Sequence, residues 1–94
     1  MALSERFEND KIEVVGPYKA VQVRKATIIE KDGVEISRSF HRHALQCGTL
    51  DDSDNLVDTD ISGEDADVQA ICIAAWSAPV KAAYKAHLIA TKPA

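Results

Sequence analysis

His41 and His43 stand one residue apart in the segment SFHRHAL, with Cys47 four residues further on. On an extended strand this spacing sends both imidazoles to one side, which zinc and other metals exploit, and Cys47 or a loop aspartate would complete a ligand set. Two ligands do not make a site, however. Arg24, expected opposite His41, also sets a guanidinium where a cation would sit. The simpler reading is a pair of surface histidines bonded to neighbours or water. A second candidate is Asp58-Thr59-Asp60-Ile61-Ser62-Gly63, with the oxygens at positions 1, 3 and 5 and the glycine at 6 that open a calcium loop. Asp65 then falls where an apolar residue belongs and Gln69 where a bidentate glutamate belongs, and no helix is expected before the loop. Neither a metal nor a cofactor is expected.

The third constellation is basic. Arg24, Arg38, His41, Arg42 and His43, with Lys25, form a patch that could meet phosphate or another anion. Sheets that bind single strands add stacking aromatics. Phe7, Tyr18, Phe40, Trp76 and Tyr84 are the aromatic residues of this chain, and none interleaves with the bases on the expected polar face. The patch therefore reads first as a protein interaction surface and second as a nucleic-acid or anion site. Catalytic signatures do not occur: there is no GxSxG, P-loop or GxGxxG, and no Cys-His pair at a recognisable spacing. No residue set has a catalytic role, and the expectation is a protein that is not an enzyme.

The elements that must position these residues belong to one small domain, residues 1–94. At 10.2 kDa a folded chain exposes about 5,300 Å² against roughly 14,800 Å² unfolded, enough for one thin core. Such a core favours assembly as a way to bury more. The 46% hydrophobic content includes no apolar run near the roughly 18 residues of a membrane span. The polar, acidic start MALSERFENDK is unlike a signal peptide, so secretion by that route is not expected. Cys47 and Cys72 are too few for a disulfide framework and read as reduced, packed thiols.

The net charge of −4 is unevenly spread. Residues 18–46 carry six Lys/Arg and three acids, whereas residues 51–67 carry eight acids and no base. Two solvated faces that attract each other within the chain explain this, and head-to-tail contact between copies is the alternative.

Residues 1–10 show no periodicity and read as a flexible or partner-docked terminus. Ile12 and Val14 begin a strand that Gly16-Pro17 bends or stops. The strongest local signal is a hairpin over residues 19–45, two β-branched runs flanking Asp32-Gly33, which suits a type I′ turn. A two-residue loop pairs residues whose numbers sum to 65. Val21, Val23, Ile29, Val34, Ile36, Phe40 and Ala44 then share a core face, which Lys25, Arg38 and Arg42 interrupt. Gln22, Arg24, Ala26, Ser37, Ser39, His41 and His43 share the polar face. A slip of one residue would exchange the faces. Residues 46–61 read as an acidic loop with a short strand near Asn55–Val57. Ser62 and Asp65 suggest a capping box that opens a helix over residues 64–90, and Pro79 kinks it or forces a restart capped by Ser77. The expected fold is α+β: an antiparallel sheet of three or four strands, with the C-terminal helix packed on one face.

Four stretches, DKIEVVGPY (10–18), AVQVR (20–24), EISRSFHRH (35–43) and SGEDADVQA (62–70), together resemble short uncharacterised proteins of marine bacteriophages and ocean viral sequence collections. The resemblance covers about residues 10–90. It implies a phage-encoded product, a small virion structural or assembly component in the host cytoplasm or the virion. Such a component would act as a homo-oligomer and meet other virion proteins. The resemblance carries no functional residues, and nucleic-acid or anion binding through the hairpin remains the alternative function.

Overall fold

The computed structural model describes residues 2–93. Its architecture is α+β. Strands β1 (Leu3–Val15), β2 (Ala20–Lys31) and β3 (Val34–Leu45) form an antiparallel sheet in the order β1-β2-β3. A two-stranded ribbon follows, β4 (Gly48–Leu50) with β5 (Leu56–Asp58), and then helices α1 (Ala66–Ala75) and α2 (Ala78–Ala90).

Turn chemistry accounts for the β-meander. Asp32 and Gly33 both take positive φ, +53° and +82°, as a two-residue loop matched to strand twist requires. The β1–β2 corner is the Gly16–Lys19 turn, closed by the Lys19 amide donating to the Gly16 carbonyl. The first ladder pairs beyond Asp32-Gly33 are the expected Lys31–Val34 and Glu30–Glu35. Between Ile29 and Glu30 the register then shifts, leaving Ile36 as an unpaired bulge residue. Ile28 faces Arg38, Ala26 faces Phe40, Arg24 faces Arg42 and Val23 faces His43.

That one residue exchanges the faces of β3. Phe40, Arg38, Arg42 and Ala44 lie on the side of Arg24, Ala26 and Ile28, away from the core; His41 and His43 lie on the side of Val21 and Val23. The expected core face is thus corrected at Ile36, which is exposed in the bulge, and at Phe40 and Ala44. The expected polar face is corrected at Ser37, Ser39, His41 and His43, which move to the helix-bearing side.

A second bulge, at Asp10 between the pairs Asn9–Lys25 and Lys11–Arg24, does the same for β1. It brings Leu3 and Phe7 onto the same face as Ile12 and Val14. Without it, this apolar set would be split between the two sides; within residues 3–9 the alternation is weak because Glu5 and Asn9 share the face of Leu3 and Phe7. Residues 3–10 are strand, not a loose terminus.

The core occupies one end of one sheet face. Val21 and Val23 pack with Cys47, Val68, Cys72 and Trp76, and Ile12, Leu45, Leu56, Ile61, Ile71 and Tyr84 close around them. The Trp76 indole donates to the Lys19 carbonyl at 2.8 Å, fixing the helix corner to the sheet turn. The long helix is broken, as Pro79 demands. Trp76 ends α1, with its amide bonded to the Cys72 carbonyl, and the Ser77 hydroxyl accepts from the Val80 amide to start α2. Pro79 then sits in the first turn, where no intrahelical N–H is needed. The expected Ser62 cap does not form. Ser62 lies in a turn whose amide donates to Asp60, and Asp65 is the residue before α1, without a capping bond. The acidic loop is folded into β4 and β5. Gly48 meets β5 so closely that a Cβ would fall 2.6 Å from the Val57 carbonyl oxygen.

The molecule measures 60 × 27 × 21 Å, with a radius of gyration of 17.5 Å. A compact chain of this length has about 12 Å. Asn9, Lys25 and His43 mark the last level at which α1 and its leading turn bond the sheet. Beyond them residues 3–8 and 26–40 protrude as a three-stranded arm.

Burial pushes the Cys47 and Cys72 thiols above their ordinary range. At neutral pH neither should react with a disulfide reagent in the native protein, and two equivalents should react after denaturation. Trp76→Phe removes the bond to Lys19 and should lower stability by about 1 kcal/mol in urea titrations. Ile73→Ala, on the exposed side of α1, should stay within about 0.5 kcal/mol of the parent.

Candidate interaction surface

The five residues of the basic patch divide between the two sheet faces. Arg24, Arg38 and Arg42 project on the side away from the helices, from central strand β2 and edge strand β3. Asp10, released from the ladder by its bulge, turns onto Arg24 and accepts from Nε at 2.9 Å and from Nη2 at 2.6 Å. This is the bidentate geometry that favours arginine over lysine. The same guanidinium lies 4.3 Å from the Phe40 ring centroid. Arg38 holds Glu35 through two bonds, at 3.2 and 2.8 Å, and approaches Glu8 at 3.7 Å. Arg6 bonds Glu30 at 2.5 Å and Glu8 at 3.4 Å.

These side chains form a lattice over Ala26 and Ile28, which are both fully buried although no helix covers them. The cross-strand neighbours of Ile28 are Arg6 and Arg38, and those of Ala26 are Glu8 and Phe40. Aliphatic stems and one ring thus seal the apolar centre of this face while the charged ends stay near water. Arg24 holds the Asp10 carboxyl, and Arg38 the Glu35 carboxyl, below the usual carboxylate range.

Pairing leaves little free cationic surface. Residues 3–45 contain eight Lys/Arg against seven Asp/Glu, because β1 brings acids to the bases of the hairpin. Arg42 has no ion-pair partner among the described residues. It borders a shallow groove of about 250 Å³, with Lys11, Glu13, Gln22, Arg24 and Ala44. Lys11 is drawn to Glu13 at 3.2 Å.

His41 and His43 lie on the opposite face, with ring centroids 6.4 Å apart. His43 Nε2 sits 2.8 Å from Glu64 Oε1, while His41 is exposed. Beside them Lys25 pairs with Asp65 at 3.3 Å, and the Asn9 amide donates to Asp65 and Asp67. The start of α1 is thereby tied to all three strands. Among the described residues no three His, Cys, Asp or Glu side chains converge as a metal-ligand group. The acidic loop is similarly engaged: Asp58 pairs with Lys81 and Asp54 with Lys92, both lysines following from the helical C-terminal segment. Attraction within the chain, between loop and helix, thus accounts for part of the charge asymmetry.

What stays open is apolar. On the helix-bearing side of the arm, past Lys25, Leu3 is 67% exposed, Phe7 60% and Val34 65%. Ile29 lies half-buried between them, and the bulge residue Ile36 is exposed as well. Phe7 and Leu3 fell in a segment without periodicity, and the bulges hide the face they share.

Because the Asp10 pKa is depressed in the fold, its pairing stabilises the protein above the ordinary value of 3.8 and is lost as pH falls through the lower folded value. Asp10→Asn should therefore flatten the acid limb of stability against pH below about pH 4, measured by urea titration. It should leave the alkaline limb unchanged. Among the described residues no helix is long and apolar enough to cross a membrane. Comparison with protein-family models, curated proteins and solved structures finds no match to the chain.

Proposed function

We propose that this protein is a non-enzymatic interaction component that works as an oligomer and assembles through its arm. One observation carries the reading: half of the main sheet stands outside the core with an uncovered apolar face. The chain exposes 6183 Å², about 900 Å² more than a compact monomer of its mass. Monomers rarely leave apolar sheet surface bare, and such surface usually meets a partner. The resemblance of residues 10–90 to marine phage proteins supplies a setting: a virion structural or assembly component, in the host cytoplasm or the virion, with other virion proteins as further partners.

A second reading, nucleic-acid or anion binding, rests on Arg42 at the groove on the opposite face. The ion pairs of Arg24 and Arg38 weigh against it, since phosphate would have to displace a carboxylate from each.

Light scattering on the eluting protein at micromolar concentration tests the first reading. The expected mass is a multiple of the 10.2 kDa chain. A monomer that also fails to bind virion proteins contradicts it. Oligonucleotide binding titrated against salt tests the second. Weak binding with a shallow slope is expected, and a steep slope would instead support phosphate contacts.

A further inference from the structure

We infer that the uncovered face of the arm is a self-docking surface on which a second copy of this chain lies antiparallel, arm against arm. The inference rests on the oligomeric reading above and names the surface and the partner.

The shape of the monomer argues for this occupant. The core elements and the exposed apolar residues are on the same side of one sheet. Leu3, Phe7, Ile29 and Val34 share their face with Ile12, Val21 and Val23, by strand alternation and the two bulges. The chain is therefore L-shaped in section. The sheet forms the long limb and the helical body stands on one end of it.

From Lys25, where α1 last touches the sheet, to Lys31 at the turn, the free ledge runs about 20 Å. Its open height is that of the body beside it. A helix layer is about 10 Å thick, and two face-packed sheets are also about 10 Å apart. A second sheet laid on the ledge thus occupies the same layer as α1 of the first copy. Turned end for end, its own body falls beyond the first copy's arm tip. Two such shapes interlock about a two-fold axis near the middle of the ledge, at Thr27 and Ile29. A parallel arrangement would instead bring body against body.

Charge agrees with this occupant. Lys31, without an ion-pair partner among the described residues, is at the arm tip. Glu64, Asp65 and Asp67 gather at the inner corner of the L, bonded to His43, Lys25 and Asn9. Antiparallel docking carries the Lys31 ammonium of each copy to the acidic corner of the other.

Extension of the sheet by edge pairing is disfavoured. The Asp10 bulge and the charges of Arg6, Glu8, Lys11 and Glu13 interrupt β1, and the Ile36 bulge with Arg38 and Arg42 interrupts β3. These are the devices by which edges are blunted.

The test combines sedimentation equilibrium with disulfide trapping on the full chain. Wild type is expected to reach twice the chain mass. Phe7→Asp should weaken the dimer at least about 100-fold, whereas Arg42→Ala on the opposite face should leave it unchanged. Unaltered circular dichroism and Trp76 fluorescence would show that the Phe7 variant folds, as its 60% exposure leads one to expect. In an oxidising buffer Thr27→Cys, near the axis, should give disulfide-linked dimers. Lys31→Cys should not, because antiparallel docking separates the two tips. The native thiols are buried and stay out of the reaction. A multimer that Phe7→Asp leaves intact, or one that Lys31→Cys traps and Thr27→Cys does not, overturns this docking while the oligomeric reading survives. A wild type that remains monomeric at 100 µM, on the order of a thousandfold weaker than a submicromolar dimer requires, overturns this docking, and if it also fails to bind virion proteins it overturns the reading on which the docking rests.

Discussion

Helices of ten and thirteen residues cannot cover a sheet built from strands of twelve and thirteen. At about 1.5 Å per helical residue, α1 spans roughly 15 Å, while each long strand runs about 40 Å. This mismatch of length governs the molecule. The core forms where α1 lies across Val21 and Val23, and it stops near Lys25. Everything distal must find another way to shield its apolar atoms.

The two faces of the arm solve that problem differently. On the side away from the helices, Arg6, Arg24 and Arg38 lie over Ala26 and Ile28, held by Glu8, Asp10, Glu30 and Glu35. Exposed ion pairs contribute little individually. Their effect here is geometric: each carboxylate fixes a guanidinium so that its stem and the Phe40 ring cover the strand beneath. The helix-bearing side has less cover. Lys25 reaches within 5.9 Å of the Phe7 ring centroid and Glu5 stands opposite Ile29, yet Leu3, Phe7 and Val34 remain open beside the short side chains of Thr27, Ser37 and Ser39. One face is closed within the chain and the other is open.

Much of the architecture is legible in the residue pattern. Asp32-Gly33 announces its turn, Gly16-Pro17 its corner, and Ser77-Ala78-Pro79 the restart of the second helix. The α+β class follows from these. The bulges are not legible, because Asp10 and Ile36 carry no glycine or proline that would mark them. Once Ile36 leaves the ladder, every later pairing on β3 moves by one, so Phe40 exchanges places with His41. The candidate patch is affected in the same way. Arg38 and Arg42, expected to interrupt the core face, join Arg24 on the side away from the helices, while His41 and His43, expected beside Arg24, go to the other face. Their neutralisation was hidden too, since Glu8 and Asp10 belong to a segment that shows no strand pattern until its bulge is known.

The resulting account is of a small domain whose longest element is deliberately unfinished on one side, and whose charges are mostly spent within the chain. The most direct measurement is residue-resolved. Amide and methyl chemical shifts of the labelled protein, followed on dilution from millimolar to micromolar, would report which face meets another copy. The account predicts changes at Phe7, Thr27, Ile29 and Val34, with Ala26, Ile28 and Arg42 much less affected. Shifts that stay constant at the first set, or that move only along the arginine face, would contradict it.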